Sequence, residues 1–233
     1  MAFKDGDFIE VAYSAWSVAD NRMLETTDEA QAKSAGIYND KIGYGPVLVI
    51  IGSGGIVKGL DNTIKSMEVG SSKKVTLKPA DAFGERNQDL VRIMPLSDFR
   101  KRDIDPRPGM HIDIDNVDVV VKSVNSGRVV VDANHPYAGM DLTYEVTVKR
   151  HLTKQEEKIS ALGKTYRAEP TSSKVSGSAV ELNYDETVAK NANYFIGKAN
   201  LVAALFTYFK DSEKVNVTES YKRPTAPPES PEE

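Results

Sequence analysis

Cysteine is absent from all 233 residues, which excludes disulfides, thiol nucleophiles and thiolate metal sites. No apolar run approaches the roughly 20 residues of a membrane span. The opening Met1-Ala2-Phe3-Lys4-Asp5-Gly6-Asp7 puts charges where a signal peptide needs an apolar core. A cytoplasmic protein without membrane association is therefore expected. A basic excess is also missing, because 30 Lys and Arg face 34 Asp and Glu for a net charge of −4, so no nucleic-acid partner is expected. Histidine is scarce, and His111, His135 and His151 are too scattered for a metal cluster. Asp113, Asp115 and Asp118 hint at calcium, but 113 and 115 alternate with Ile112 and Ile114 as the solvated face of a strand. Neither a metal nor any other cofactor is expected.

What is present is an ordinary globular composition, 40% hydrophobic and 27% charged, in a chain long enough for one to three domains. The most informative stretch runs from Tyr44 to Asp61: an apolar strand, a turn with glycines at 52, 54, 55 and 59, and the apolar start of a helix. Glycine permits positive φ and close backbone approach, while Ile56, Val57 and Leu60 supply apolar surface and no reactive group. That combination reads as the floor of a pocket working by non-covalent means. A phosphate-cradling loop is the alternative, but Lys58 lacks the P-loop spacing and its Ser/Thr partner.

Alternation over Phe8–Trp16, Lys73–Leu77 and Asp141–Leu152 predicts half-buried strands. Leu60, Ile64 and Met67 fall at helical spacing between Gly59 and Val69, with Gly70 as the expected C-cap. Strands wrapped on one short helix make the fold class α+β. Between Phe83-Gly84-Glu85-Arg86 and Asn134-His135-Pro136 the texture changes to short β runs at 110–114, 117–124 and 128–131, with Asn125-Ser126-Gly127 turning a hairpin. Residues 86–133 thus read as a small β domain inserted into a host of residues 1–85 and 134–152. Residues 153–222 read as a C-terminal α/β unit: a polar helix near 155–162, a strand near 179–182, helical periodicity over 184–210, and a closing strand at Val215 and Val217. Leu201, Val202, Leu205, Phe206 and Phe209 form a stripe able to pack on a sheet or on a second copy, which makes a homodimer through this unit a candidate assembly. The proline-rich 223–233 is expected to be a disordered tail.

Tyr13, Leu24-Glu25, the 44–61 segment, Ala82-Phe83-Gly84 and Leu142-Thr143-Tyr144 together resemble the FKBP-type peptidyl-prolyl cis/trans isomerases. The interruption after Gly84, with Val131-Asp132-Ala133-Asn134-His135-Pro136-Tyr137-Ala138-Gly139, resembles the SlyD-like branch, which carries a chaperone domain in the flap. Gly36-Ile37-Tyr38-Asn39 leading to Tyr44-Gly45-Pro46 resembles the archaeal long form. The resemblance covers residues 1 to about 152. It implies an FKBP-like antiparallel sheet wrapped on a short helix. It also implies a proline pocket with walls from Tyr13, Leu24 and Val47, Ile56 and Val57 at the turn, Leu60 as floor and Tyr144 closing it. Glu25 stands where a carboxylate holds that tyrosine, Phe83 where the family commonly has a substrate-binding tyrosine, and Tyr137 stands in for displaced flap residues. The implied partners are unfolded or partly folded proteins with Xaa-Pro bonds, and a macrolide is a candidate ligand.

Two functions compete on the sequence: an isomerase that also holds unfolded chains, and a peptide-binding or chaperone module whose isomerase pocket has weakened. In the insert, Ile93, Met94, Met110, Val119 and Val121 are either a minimal core or an exposed groove for unfolded chain, a role that suits methionine's adaptability.

Overall fold

The computed structural model describes residues 3–223. Strand β1 (Phe8–Ser17) is followed by β2 (Met23–Thr26), helix α1 (Glu29–Ser34), β3 (Val47–Ile50), helix α2 (Lys58–Lys65) and β4 (Ser72–Leu77). Ile9, Val11 and Ala15 face inward from β1. The chain then leaves this layer and returns as β9 (Leu142–Leu152), whose Leu142, Tyr144, Val146 and Val148 are all buried at the alternation expected of a half-buried strand. All pairings are antiparallel, in the order β2-β1-β9-β4 with β3 also on β1. Leu60 and Ile64 bury one face of α2 against this sheet. The close approach requires glycine at 59, where a Cβ would stand 2.6 Å from Leu77 Cδ2 and 3.0 Å from the Asp81 carbonyl oxygen. The helix ends earlier than the expected cap at Gly70. Ser66 caps it, its Oγ and its N–H both donating to Thr63 O at 2.7 and 3.1 Å, and Gly70, at φ +83°, shapes the later turn into β4.

The excursion between β4 and β9 contains β5 (Val91–Pro95), α3 (Leu96–Arg100), β6 (His111–Ile114), β7 (Val117–Asn125) and β8 (Arg128–Asp132), in a separate sheet of order β5-β8-β7-β6. Ser126 and Gly127 (φ 47° and 77°) make the two-residue hairpin loop the sequence announces, and Asp115 and Asn116 (φ 56° and 65°) make a second one. Asp113 serves that second turn, accepting from the Asn116 N–H at 3.1 Å. Strand β5 was not among the expected runs; it lies at the sheet edge, where its terminal Pro95 costs no ladder bond. Where the excursion starts and ends, Asn87 N–H donates to Asn134 Oδ1 and Asn134 Nδ2 donates back to Asn87 O, each at 2.8 Å. Buried Asp132 pairs with Arg86 and accepts from the Asn134 N–H at 2.9 Å, so its charge is compensated where burial would otherwise expel it.

After β9 follow α4 (Gln155–Thr165), β10 (Ser172–Ser176), β11 (Ala179–Tyr184), α5 (Tyr194–Tyr208) and β12 (Lys214–Glu219). β11 and β12 are parallel, so α5 is their crossover. The helical periodicity over 184–210 is broken up: β11 runs to Tyr184, Glu186–Lys190 form a short 3-10 helix capped by Asp185, whose side chain accepts from the Thr187 N–H at 3.0 Å, and α5 starts only at Tyr194. The helix at 155–162 is not polar throughout, since α4 buries Ile159, Ala161 and Leu162. Of the expected stripe, Leu201, Leu205 and Phe209 are buried within the chain's own core, whereas Phe206 is exposed. That core also takes Phe8, Ile50 and Leu152 from the first sheet, so the C-terminal unit is welded to it. Of the expected tail at 223–233, residues 224–233 lie outside the described residues. No helix among the described residues is long and apolar enough to cross a membrane.

Candidate functional site

The site forms on the inner face of the first sheet, where α2 closes one end. Leu60 and Tyr144 are buried at its base, and Tyr13, Leu24, Val47, Ile56, Val57, Phe83 and Tyr137 are half-buried members of the same apolar cluster. The Tyr13 and Tyr144 rings lie 6.1 Å apart, centroid to centroid, tilted by 47°. Tyr13 Oη donates to Glu25 Oε2 at 3.2 Å, so the longer carboxylate side chain reaches its tyrosine. Nine of the ten pocket positions named from sequence thus share one cluster, and the tenth, Glu25, bonds to a member of it.

Electrostatics keep the phenols of the site neutral. Burial, then the Glu25 charge, pushes the Tyr13 hydroxyl up to about 12, and burial also raises Tyr144 and Tyr137. These phenols stay protonated at physiological pH: they can donate hydrogen bonds but cannot serve as bases. With apolar walls and one carboxylate already engaged, the arrangement suits binding and distorting a neutral group.

Sequence reasoning missed two contributors. Asp61, in the first turn of α2, accepts from the Gly52 N–H through both carboxylate oxygens at 3.1 and 3.2 Å, tying the glycine turn to the helix. An acidic residue in a helix's first turn is the signal that could have found it. His135 stacks on Phe83 with centroids 4.1 Å apart and planes 4° apart, and its Nδ1 accepts from the Tyr137 N–H at 3.2 Å. Tyr137 meets both rings edge-on at 5.4 Å. Nothing in the spacing of 83 and 135 shows that the insert's two junctions bring them together.

The insert residues named from sequence divide. Ile93 and Met110 are exposed, at 65% and 41%, and Met94 lines a cavity of about 120 Å³ with Phe99, Ile104, Ile112 and Ile114. Val119 and Val121 are 6% and 0% exposed inside the insert's core, so they hold the small domain together and present nothing to a partner; this corrects their placement in a groove. Among the described residues, no group of three or more His, Asp or Glu could hold a metal ion.

An antiparallel sheet closed on one short helix, with an aromatic-rich apolar cluster between them, is the architecture expected of an FKBP-type domain. Comparison with known proteins agrees. Residues 1–99 match the family model of the FKBP-type peptidyl-prolyl cis-trans isomerases, and residues 92–147 that of the FKBP26 IF domain. A short-type peptidyl-prolyl cis-trans isomerase of Methanocaldococcus jannaschii is 31% identical over 146 residues, covering 63% of this chain and 92% of the relative. The FKBP-type peptidyl-prolyl cis-trans isomerase SlyD of Pasteurella multocida is 28% identical over 144 residues, covering 60% and 72%, and that of Vibrio cholerae 32% over 119, covering 49% and 59%. The chain belongs to the FKBP-type peptidyl-prolyl cis-trans isomerases, and among them it is SlyD-like.

Proposed function

We propose that the protein accelerates rotation about Xaa-Pro bonds of unfolded or partly folded chains in the cleft between Tyr13, Ile56, Val57, Leu60 and Tyr144. The observation that carries this is the convergence of neutral aromatic and aliphatic side chains on a buried base, with no ionised group left free among them. The barrier is about 20 kcal/mol because planarity carries resonance that the twisted amide lacks. The planar form is also the more polar, so a dry cleft disfavours it relative to the twisted one. A reduction of about 5–7 kcal/mol corresponds to roughly 10⁴- to 10⁵-fold in rate. Phe83 brings no hydroxyl, and a missing neutral hydrogen bond of about 0.5–1.5 kcal/mol limits that loss to roughly tenfold. Exchange spectroscopy on an Xaa-Pro peptide is the test. Tyr13→Ala and Val57→Ala should each slow catalysed exchange, and unchanged rates would refute the pocket.

The insert, residues 86–133, is the proposed holdase, with Ile93, Met94 and Met110 as the client contacts. Capture there raises local substrate concentration at the pocket. Deleting it should cut activity on a proline-limited refolding protein far more than on a short peptide, and equal losses would argue against capture. Persisting anti-aggregation activity with no peptide exchange would favour the weakened-pocket alternative. A homodimer through the C-terminal unit is supported by the outer face of α5, where Phe195 and Ile196 are 69% and 70% exposed and Phe206 lies three turns on. Phe195→Asp with Phe206→Asp should halve the sedimenting mass if that face is the interface. A macrolide competing with peptide at the same cleft is part of the reading.

A further inference from the structure

The chain leaves the pocket cluster for the insert after Phe83 and returns to it through His135 and Tyr137. On the return, residues 135–138 form a turn: the Ala138 N–H donates to His135 O at 2.9 Å, and Pro136 stands at the second position, where its fixed φ is favoured. The His135 side chain braces the same turn, since its Nδ1 accepts from the Tyr137 N–H at 3.2 Å. The imidazole proton is therefore on Nε2. Its ring lies flat on Phe83, with centroids 4.1 Å apart and planes 4° apart, and meets the Tyr137 ring edge-on at 5.4 Å. One residue beyond the turn, the Gly139 N–H donates to Gly84 O at 2.8 Å and ties the returning segment to the outgoing one. Phe83 and Tyr137 are half-buried in the pocket cluster, whereas His135 is exposed. His135 thus touches two pocket residues at once while standing outside the pocket's core.

We propose, building on the isomerase reading above, that His135 is a positioning residue for that activity: its stacked ring and its Nδ1 hold Phe83 and Tyr137 in place before substrate arrives. Phe83 has no hydroxyl with which to anchor itself, so the stack supplies the order. Rings that are already ordered add no ordering penalty to binding. Without His135 both must be ordered when the peptide binds, a penalty shared by the planar and twisted states, so the loss falls on KM and not on kcat.

The test uses the full chain. His135→Ala should raise KM on an Xaa-Pro peptide three- to tenfold with kcat within twofold, and the ring signals of Phe83 and Tyr137 should lose their stacking shifts. Two further variants separate the contacts. His135→Phe keeps a plane on Phe83 but no acceptor, and His135→Asn keeps an acceptor for the Tyr137 N–H but no plane, so each should recover part of the lost KM. A kcat that falls while KM stays unchanged would place His135 on the reacting bond and overturn the proposal. An unchanged KM with only the melting temperature lowered would make the contacts purely structural, and would overturn it too. If His135→Ala does not fold, His135→Asn is read in the same way. Ring signals need no turnover. Wild-type protein inactive on peptides would thus defeat the isomerase reading, while Phe83 and Tyr137 signals unmoved in His135→Ala would defeat this one.

Discussion

Replacing Phe8 by alanine should destabilise two units at once. Phe8 is 2% exposed, meets Tyr208 and Phe209 edge-on at centroid distances of 5.7 and 6.4 Å, and lies under Lys158 Nζ at 5.2 Å. It belongs to β1 by backbone and to the C-terminal core by side chain. Truncating a buried phenylalanine costs about 3–5 kcal/mol in lost transfer and cavity terms. At roughly 2–4 °C per kcal/mol for a chain of this size, the melting temperature should fall by about 6–20 °C. Phe8→Leu, which keeps most of the volume, should lose about 1.5 kcal/mol or less. The assay follows thermal unfolding by two reporters: fluorescence of Trp16, the single tryptophan, on β1, and far-UV circular dichroism, to which α4 and α5 contribute. Both transitions should move down together. A Trp16 transition left at its wild-type temperature while the helical signal melts early would refute the shared core.

Other outcomes follow from the same geometry. Gly59→Ala should cost about 1–3 kcal/mol by denaturant titration, because the new methyl meets Leu77 at 2.6 Å and the Asp81 backbone at 3.0 Å; a neutral effect would mean that α2 can slide. Tyr13→Phe removes the 3.2 Å bond to Glu25 and should lower stability by about 0.5–1.5 kcal/mol, with a smaller activity loss than Tyr13→Ala, which also opens the wall. Burial, then the Glu219 charge, raises the Tyr184 hydroxyl to about 12 from an ordinary 10. Between pH 10 and 12 the unfolded chain releases that proton and the folded one keeps it, so stability must fall as pH rises, by up to about 1.4 kcal/mol per pH unit. Unfolding midpoints at pH 9, 10 and 11 should decline less steeply in Tyr184→Phe, and parallel declines would show that Tyr184 is not the titrating group.

Much of this molecule was legible because local pattern and tertiary role coincide. β9 reads as an alternating strand and buries the residues that the alternation selects, and Ser126-Gly127 turns where it must. The pocket residues emerged as a set only through their likeness to a family, since an aromatic on a buried strand is by itself mainly packing. The rest depends on contacts between distant segments. Phe8 looks like an outward strand position until α4 and α5 cover it, and Leu152, in phase with the inward face of β9, joins that same core because the β1–β9 register shifts between Glu10 and Val11. β10, Ser172–Ser176, has too few apolar residues to announce itself and is a strand because β11 pairs with it. The stripe on α5 gave the correct periodicity but not its partner, and only packing separates buried Leu205 from exposed Phe206. Val119 and Val121 looked available for clients because sequence cannot distinguish the two faces of so small a sheet.

The central claim is that an apolar, water-poor cleft with no free ionised group twists the imide bond without covalent participation. Titrating isotope-labelled protein with an Xaa-Pro tetrapeptide, while following its cis–trans exchange, tests this most directly. Saturable shifts in the Leu24, Val47, Ile56, Val57 and Leu60 methyls and in the Tyr13 and Tyr144 rings, together with accelerated exchange, are the predicted result. Resonances that stay still at saturating peptide, or exchange at the uncatalysed rate, would contradict it.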